Sequence, residues 1–150
     1  MATDKKMKKI LFDAGISRVI GWLEKKSWSL DIDYCNKDEM QPEERQITIN
    51  ARQGVEKQLY SLLHECGHIQ QNWKRYEQDY PATAKMNCYA STNRRFAKSP
   101  KYKVDILAEE IEAWRRGKTL ADRLGIYINE EKYNELTAEC VYSYILWAAR

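Results

Sequence analysis

The fold of this chain is decided by one stretch, His64-Glu65-Cys66-Gly67-His68. It contains the only 2 histidines of the sequence, placed four residues apart. On a helix this spacing puts both imidazoles on one face, one turn apart. Gly67 lowers helix propensity by about 1 kcal/mol relative to alanine. A glycine at that position predicts that another backbone approaches the helix closely.

Hydrophobic periodicity around this stretch predicts the helices. Apolar residues recur at helical spacing over 54–73, which places both histidines inside one helix. Further helices are predicted over 6–26, over 104–124 (ended by Gly125) and over 129–149. Between them, 75–102 shows no strong period and predicts a long connection.

Two short alternating stretches precede the histidine helix and predict strands, at 28–34 and 46–50. The polar residues 36–44 between them, with Pro42, predict a loop. This order of elements predicts an α+β fold, with a small antiparallel sheet packed on a helical core. The length of 150 residues predicts a single domain over 1–150.

Composition narrows the class of protein. A hydrophobic content of 43% supplies a core and excludes a disordered chain. The 4 cysteines form no C-x-x-C pair, which argues against a structural zinc knuckle or a redox motif. No apolar signal segment is present, and no stretch approaches the roughly 20 apolar residues that span a bilayer. We therefore expect a cytoplasmic protein with free thiols and no membrane partner.

The histidine pair predicts a metal centre, because both rings can reach a single ion. A catalytic zinc site takes three protein ligands and keeps one position open for water. No third histidine exists, so the third ligand must be Asp, Glu or Cys. The longer metzincin motif is excluded because Gln71 and Lys74 occupy the places of its glycine and third histidine. The alternative is a helix with two surface histidines or a neutral, hydrogen-bonded pair.

Three glutamates on the helix over 104–124 compete for the third position: Glu109, Glu110 and Glu112. The large apolar residues of that helix define one arc, and Glu110 lies within about 40° of its centre. Glu109 and Glu112 are predicted to point to solvent. A charge on an apolar stripe is costly unless it is paired or bound to metal. Glu110 is therefore the predicted ligand, and a buried ion pair with an arginine is its alternative role.

The two histidines with Glu65, followed by Glu110-x-x-Ala113, resemble the gluzincin metallopeptidases, and among these the small ImmA/IrrE-type and phage-encoded metallopeptidases. The resemblance covers roughly Trp28 to Leu124. It implies a minimal zincin-like fold, Zn²⁺ held by His64, His68 and Glu110, and hydrolysis of peptide bonds in a peptide or protein substrate. It also implies that the strand at 47–50 is the edge that pairs with an extended peptide.

In that mechanism Glu65 acts as the general base, taking a proton from the activated water and passing it to the leaving amine. It is not itself a ligand. An oxyanion needs a donor, and the candidates, which the sequence does not rank, are Tyr89, Arg94, Arg95 and Tyr102. Packing roles are predicted for three of the cysteines, Cys66, Cys88 and Cys140.

Two other classes of function remain open at this point. The first is a metal-binding regulatory or interaction protein that does not catalyse. The second is a nucleic-acid-binding protein that uses the basic residues of 94–103 with interleaved aromatics, since such surfaces hold single strands. A net charge of +3 is weak support for the second class, so we expect no nucleic-acid partner.

Overall fold

The computed structural model describes residues 2–35, 37–71, 78–79 and 98–150. Its helices and strands, in chain order, are α1 (Ala2–Lys25), β1 (Ser29–Asp33), β2 (Glu39–Gln41), β3 (Gln46–Asn50), α2 (Val55–Ile69), α3 (Pro100–Leu124) and α4 (Glu130–Ala148). The predicted α+β class is confirmed. No helix in these ranges combines the length and the apolar character that a bilayer crossing requires.

The sheet differs from the predicted antiparallel one, because it is mixed and its strand order is β1-β3-β2. β1 runs parallel to β3, with Leu30 opposite Ile47, and β2 runs antiparallel to β3. The cause is β2, which forms inside the predicted loop and pairs with β3 through a turn where the Arg45 N–H donates to the Pro42 carbonyl. The chain reverses direction between β1 and β2 and again between β2 and β3, so β1 and β3 point the same way.

β3 is the central strand, so the expectation that it forms the edge beside a cleft is wrong. Hydrogen-bonded strands occupy both of its sides. Its apolar residues Ile47 and Ile49 are buried, and the strand packs against α2. Among the residues that the structure describes, β1 and β2 are the edge strands of the sheet.

Helix ends agree with the capping residues of the sequence. α3 begins at Pro100, four residues before the predicted start, because Pro is favoured in the first turn and Ser99 precedes it. Gly125 ends α3 in the left-handed conformation, at φ 64°. At the start of α4, the side chain of Asn129 accepts a hydrogen bond from the backbone N–H of Lys132. Most of the predicted connection over 75–102 lies outside the described residues.

α2 and α3 cross with their backbones in contact. A Cβ atom added to Gly67 would lie 1.9 Å from the carbonyl oxygen of Ala113, and one added to Gly117 would lie 2.6 Å from that of Leu63. The prediction that Gly67 marks a close approach of another backbone is confirmed. This crossing brings the histidine-bearing face of α2 directly against the glutamates of α3.

Candidate metal centre

All three predicted ligands meet at the α2–α3 crossing. Nε2 of His64 lies 2.9 Å from Oε2 of Glu110, and Nε2 of His68 lies 3.2 Å from Oε1 of the same carboxyl. The two Nε2 atoms are 3.0 Å apart. The side chains of His64, His68 and Glu110 are 12%, 16% and 11% exposed. Three potential ligand atoms thus converge in a nearly buried place, all within 4.8 Å of one another.

One atom of this cluster tests whether a metal fits. Oε2 of Glu110 is buried and receives no hydrogen bond in the structure, although Nε2 of His64 is 2.9 Å away. The two atoms are close but not aligned as donor and acceptor. Leaving a buried carboxylate oxygen without a donor is costly. A divalent cation shared with the two imidazoles would satisfy it, and two nitrogens with one carboxylate oxygen form a donor set that suits catalytic zinc.

The charges of the cluster favour a cation between the two helices. Burial, and after it the positive charge of His68, lowers the pKa of His64. Burial also lowers the pKa of His68, but its hydrogen bonds to Glu109 and Glu110 outweigh that effect and raise the pKa overall. One imidazole is therefore neutral and the other positive beside two carboxylates. A positive charge is stabilised here in the place that a metal ion would take.

Glu65, the predicted general base, stands outside the ligand set. Burial raises the pKa of its carboxyl to about 7, against the lowering effect of His68, and the nearby carboxylates of Glu110, Asp38 and Glu39 raise it further. A carboxyl group with a pKa near neutrality can both accept and return a proton.

Glu109 is not directed to solvent, so that prediction is wrong. It is 7% exposed, and its carboxylate contacts Nδ1 of His68 at 3.2 Å and Nη2 of Arg116 at 2.6 Å. The buried face of α3 is centred on Ala113 and Gly117, about 100° round the helix from the arc of large apolar residues. Alanine and glycine score low on a hydrophobicity scale, so the large apolar residues alone gave the wrong centre for the buried face of α3.

Glu112 points towards solvent, as predicted. Its side chain is 40% exposed, and its Oε1 lies 2.6 Å from Nη1 of the exposed Arg115.

Trp114 belongs to the site, although the sequence assigned it to core packing alone. Its ring stacks on His64 with the centroids 4.3 Å apart and the planes at 22°. Tyr133 donates its hydroxyl hydrogen to the Trp114 carbonyl. The sequence signal was its position four residues after Glu110, on the same face of α3.

α4 contributes two side chains near the carboxylates of the cluster. Burial, then the charges of Glu110 and Glu65 and a hydrogen bond with Glu110, raises the pKa of Tyr144. Burial, followed by the charges of neighbouring carboxylates, raises the pKa of Cys140 to about 11. Both groups are therefore protonated near neutral pH. Tyr144 was missed because nothing in the sequence links α4 to the histidines.

The remaining predicted residues are less informative. Cys66 is a buried free thiol in the core, as its packing role requires. Tyr102 packs edge-to-face against Trp147. The other oxyanion candidates (Tyr89, Arg94 and Arg95) lie outside the described residues, as does Cys88.

Comparisons with models of protein families, with curated proteins and with solved structures found no match to this chain.

Proposed function

We propose that this chain is a zinc-dependent peptidase, in which His64, His68 and Glu110 hold the metal and Glu65 is the general base. The observation that carries the proposal is the buried carboxyl group of Glu110: its Oε2 receives no hydrogen bond and lies beside Nε2 of His64, while its Oε1 lies beside Nε2 of His68. The three free thiols among the described cysteines suit a reducing compartment such as the cytoplasm.

Zinc bound there would supply a Lewis acid for the scissile carbonyl and a water of lowered pKa. Glu65 would take the proton from that water and return it to the leaving amine, which its pKa of about 7 permits. Tyr144, whose pKa is raised by burial and by the charge of Glu110 so that it is protonated at neutral pH, would donate a hydrogen bond to the carbonyl oxygen as negative charge develops there. In this proposal Tyr144 takes the role of oxyanion donor.

The substrate would bind as an extended strand against β2. Strand addition needs a free sheet edge, and within the described part of the chain β2 is an edge strand whereas β3 is central. The charge of Glu39, in β2, is also among those that raise the pKa of Glu65, which supports an approach of the substrate from the β2 side. A peptide added to this edge would pass the catalytic carboxyl.

Metal analysis tests the ligand set. Purified wild-type protein should contain about one zinc ion per chain, and His64→Ala and Glu110→Ala should lose most of it. Glu112→Ala is the matched control, because it removes a carboxylate from the same helix that pairs with exposed Arg115 and lies outside the proposed ligand set. Equal zinc content in all four proteins would refute the proposed ligands.

Catalysis is tested separately with Glu65→Gln. Zinc-loaded wild-type protein should cleave labelled casein or members of a mixed peptide library, and Glu65→Gln should bind zinc equally well but cleave nothing. A wild-type protein that binds zinc and cleaves neither probe would favour the alternative of a non-catalytic metal-binding regulator.

A further inference from the structure

We propose that Glu109 and Arg116 act together as a positioning pair that fixes the tautomer and the orientation of His68 for metal binding. This inference rests on the proposed metal centre and assigns a role to two residues outside the ligand set. It follows from four contacts around the His68 ring and the end of α2.

The first contact decides which ring nitrogen is free. Nδ1 of His68 lies 3.2 Å from Oε1 of Glu109, whereas Nε2 faces Glu110 and His64. When a metal ion takes the place of the proton on Nε2 of His68, the carboxylate beside Nδ1 would keep the hydrogen on that nitrogen and leave the Nε2 lone pair for the ion. The imidazole is then in the tautomer that binds a metal ion through Nε2.

Glu109 can hold the ring only if it is itself held. Its Oε1 accepts a hydrogen bond from Nη2 of Arg116 at 2.6 Å, and its Oε2 accepts one from Nε2 of Gln71 at 3.1 Å. The Glu109 side chain is 9% exposed, so these contacts are shielded from water. Two donors and a ring N–H therefore constrain the carboxylate, which leaves it little freedom to rotate.

Arg116 ties this carboxylate to α2 as well as to α3. Its Nε donates to the carbonyl of Gly67 at 2.8 Å. α2 ends at Ile69, and the Gln71 N–H bonds to the His68 carbonyl, so the Gly67 carbonyl belongs to the last turn, where partners outside the helix are needed. A cation at the C-terminal end of a helix is also favoured by the helix dipole. Arg116 thus joins the helix that carries His68 to the carboxylate that orients it.

His64 is oriented by a different group, the indole of Trp114, on which its ring stacks at 4.3 Å. Apart from Glu110 and each other, the two imidazoles therefore contact different neighbours. Removing the Glu109 carboxylate should loosen His68 and leave the stacked ring of His64 in place. This difference allows a positioning role to be separated from general damage to the fold.

The main experiment measures zinc affinity by competition with a chromogenic chelator. Glu109→Ala should weaken zinc binding by about 10- to 100-fold, the range typical of lost outer-shell partners, and Arg116→Ala by about 10-fold. Glu109→Gln keeps the size and one acceptor oxygen, so its loss should be smaller than that of Glu109→Ala. Glu112→Ala is again the control and should bind zinc like the wild type.

A second measurement separates positioning from stability. In zinc-loaded wild-type protein, long-range ¹H–¹⁵N NMR should show His68 protonated at Nδ1, with slow exchange of that hydrogen. In Glu109→Ala the hydrogen should exchange faster or the signal should broaden, while the His64 signals stay unchanged. A merely structural role would lower the melting temperature of the zinc-free protein without changing zinc affinity or the His68 signal.

The outcomes are distinguishable. If the wild type binds no zinc, the proposed function fails and this inference fails with it. If the wild type binds zinc and Glu109→Ala retains both the affinity and the His68 signal, only the inference is overturned. Should Glu109→Ala fail to fold, the nearly isosteric Glu109→Gln decides the question by the same two measurements.

Discussion

The sharpest prediction concerns a single methyl group at the crossing of α2 and α3. In Gly67→Ala the new Cβ would lie 1.9 Å from the carbonyl oxygen of Ala113 and 2.7 Å from its carbonyl carbon. Carbon and oxygen normally stay about 3.3 Å apart, so the helices must separate by more than about 1 Å. Both clashing atoms belong to the backbone, and no rotamer change can relieve the contact.

The destabilisation by Gly67→Ala can be compared with that of other overpacking substitutions. Overpacking costs about 1–3 kcal/mol and sometimes more. Because this clash involves rigid backbone, we expect the free energy of unfolding to fall by about 3 kcal/mol, a large part of the roughly 5–15 kcal/mol that stabilises a domain. If the free energy of unfolding falls by about 2 kcal/mol per M urea, the urea midpoint should fall by about 1.5 M.

Gly21→Ala is the matched control, since it makes the same substitution inside α1. A Cβ at Gly21 would meet nothing within 4 Å. Because alanine has a higher helix propensity than glycine, Gly21→Ala should raise the free energy of unfolding by about 0.5–1 kcal/mol. The assay is urea unfolding of the zinc-free proteins, followed by circular dichroism. A Gly67→Ala midpoint equal to the wild type, or a Gly21→Ala midpoint below it, would refute the reasoning.

Three further predictions test the side chains of the site. Because burial raises the pKa of Glu65 from 4.5 to about 7, its protonation stabilises the folded state below pH 4.5, and that stabilisation is lost as the pH rises through about 7. In the zinc-free protein Glu65→Gln should therefore match the wild type near pH 4.5 and exceed it at pH 8, by about 1–2 kcal/mol after allowance for the partial exposure of the side chain. An equal difference between the two proteins at both pH values in urea unfolding would contradict this. Tyr144→Phe should lower kcat about 100-fold while zinc content is kept, and unchanged kcat would remove Tyr144 from the mechanism. Trp114→Leu should lower both the urea midpoint and the zinc affinity, because the indole ring that stacks on His64 is lost. A variant that binds zinc as tightly as the wild type would show that the stacking does not orient the His64 ring.

The sequence predicted the features of this fold that depend on local periodicity, together with one contact marked by a single glycine. Helical spacing located α2 with both histidines inside it, and alternation located β3 at the residues where it forms. Gly67 predicted a close backbone contact, which the structure contains. Glu110 was distinguished from Glu112 because its face of α3 is buried.

The parts that the sequence missed depend on contacts between distant segments. β2 spans only Glu39–Gln41, too short for alternation to show, and its insertion made the sheet mixed. Glu109 was assigned to solvent because Ala113 and Gly117, which define the tightest contact, weigh little on a hydrophobicity scale. Tyr144 approaches Glu110 from α4, and a single sequence does not show where that helix docks.

The crossing at Gly67 and Ala113 also matters for anyone who wishes to transplant this site. The separation of the two helix backbones that carry the imidazoles and Glu110 is set by main-chain atoms in contact, so no rotamer change can alter it. Grafting the three donor residues onto another helical hairpin would reproduce their chemistry but not their separation. The transferable unit is the pair of helices with Gly67 against Ala113 and Gly117 against Leu63, around which a designer could vary the remaining scaffold.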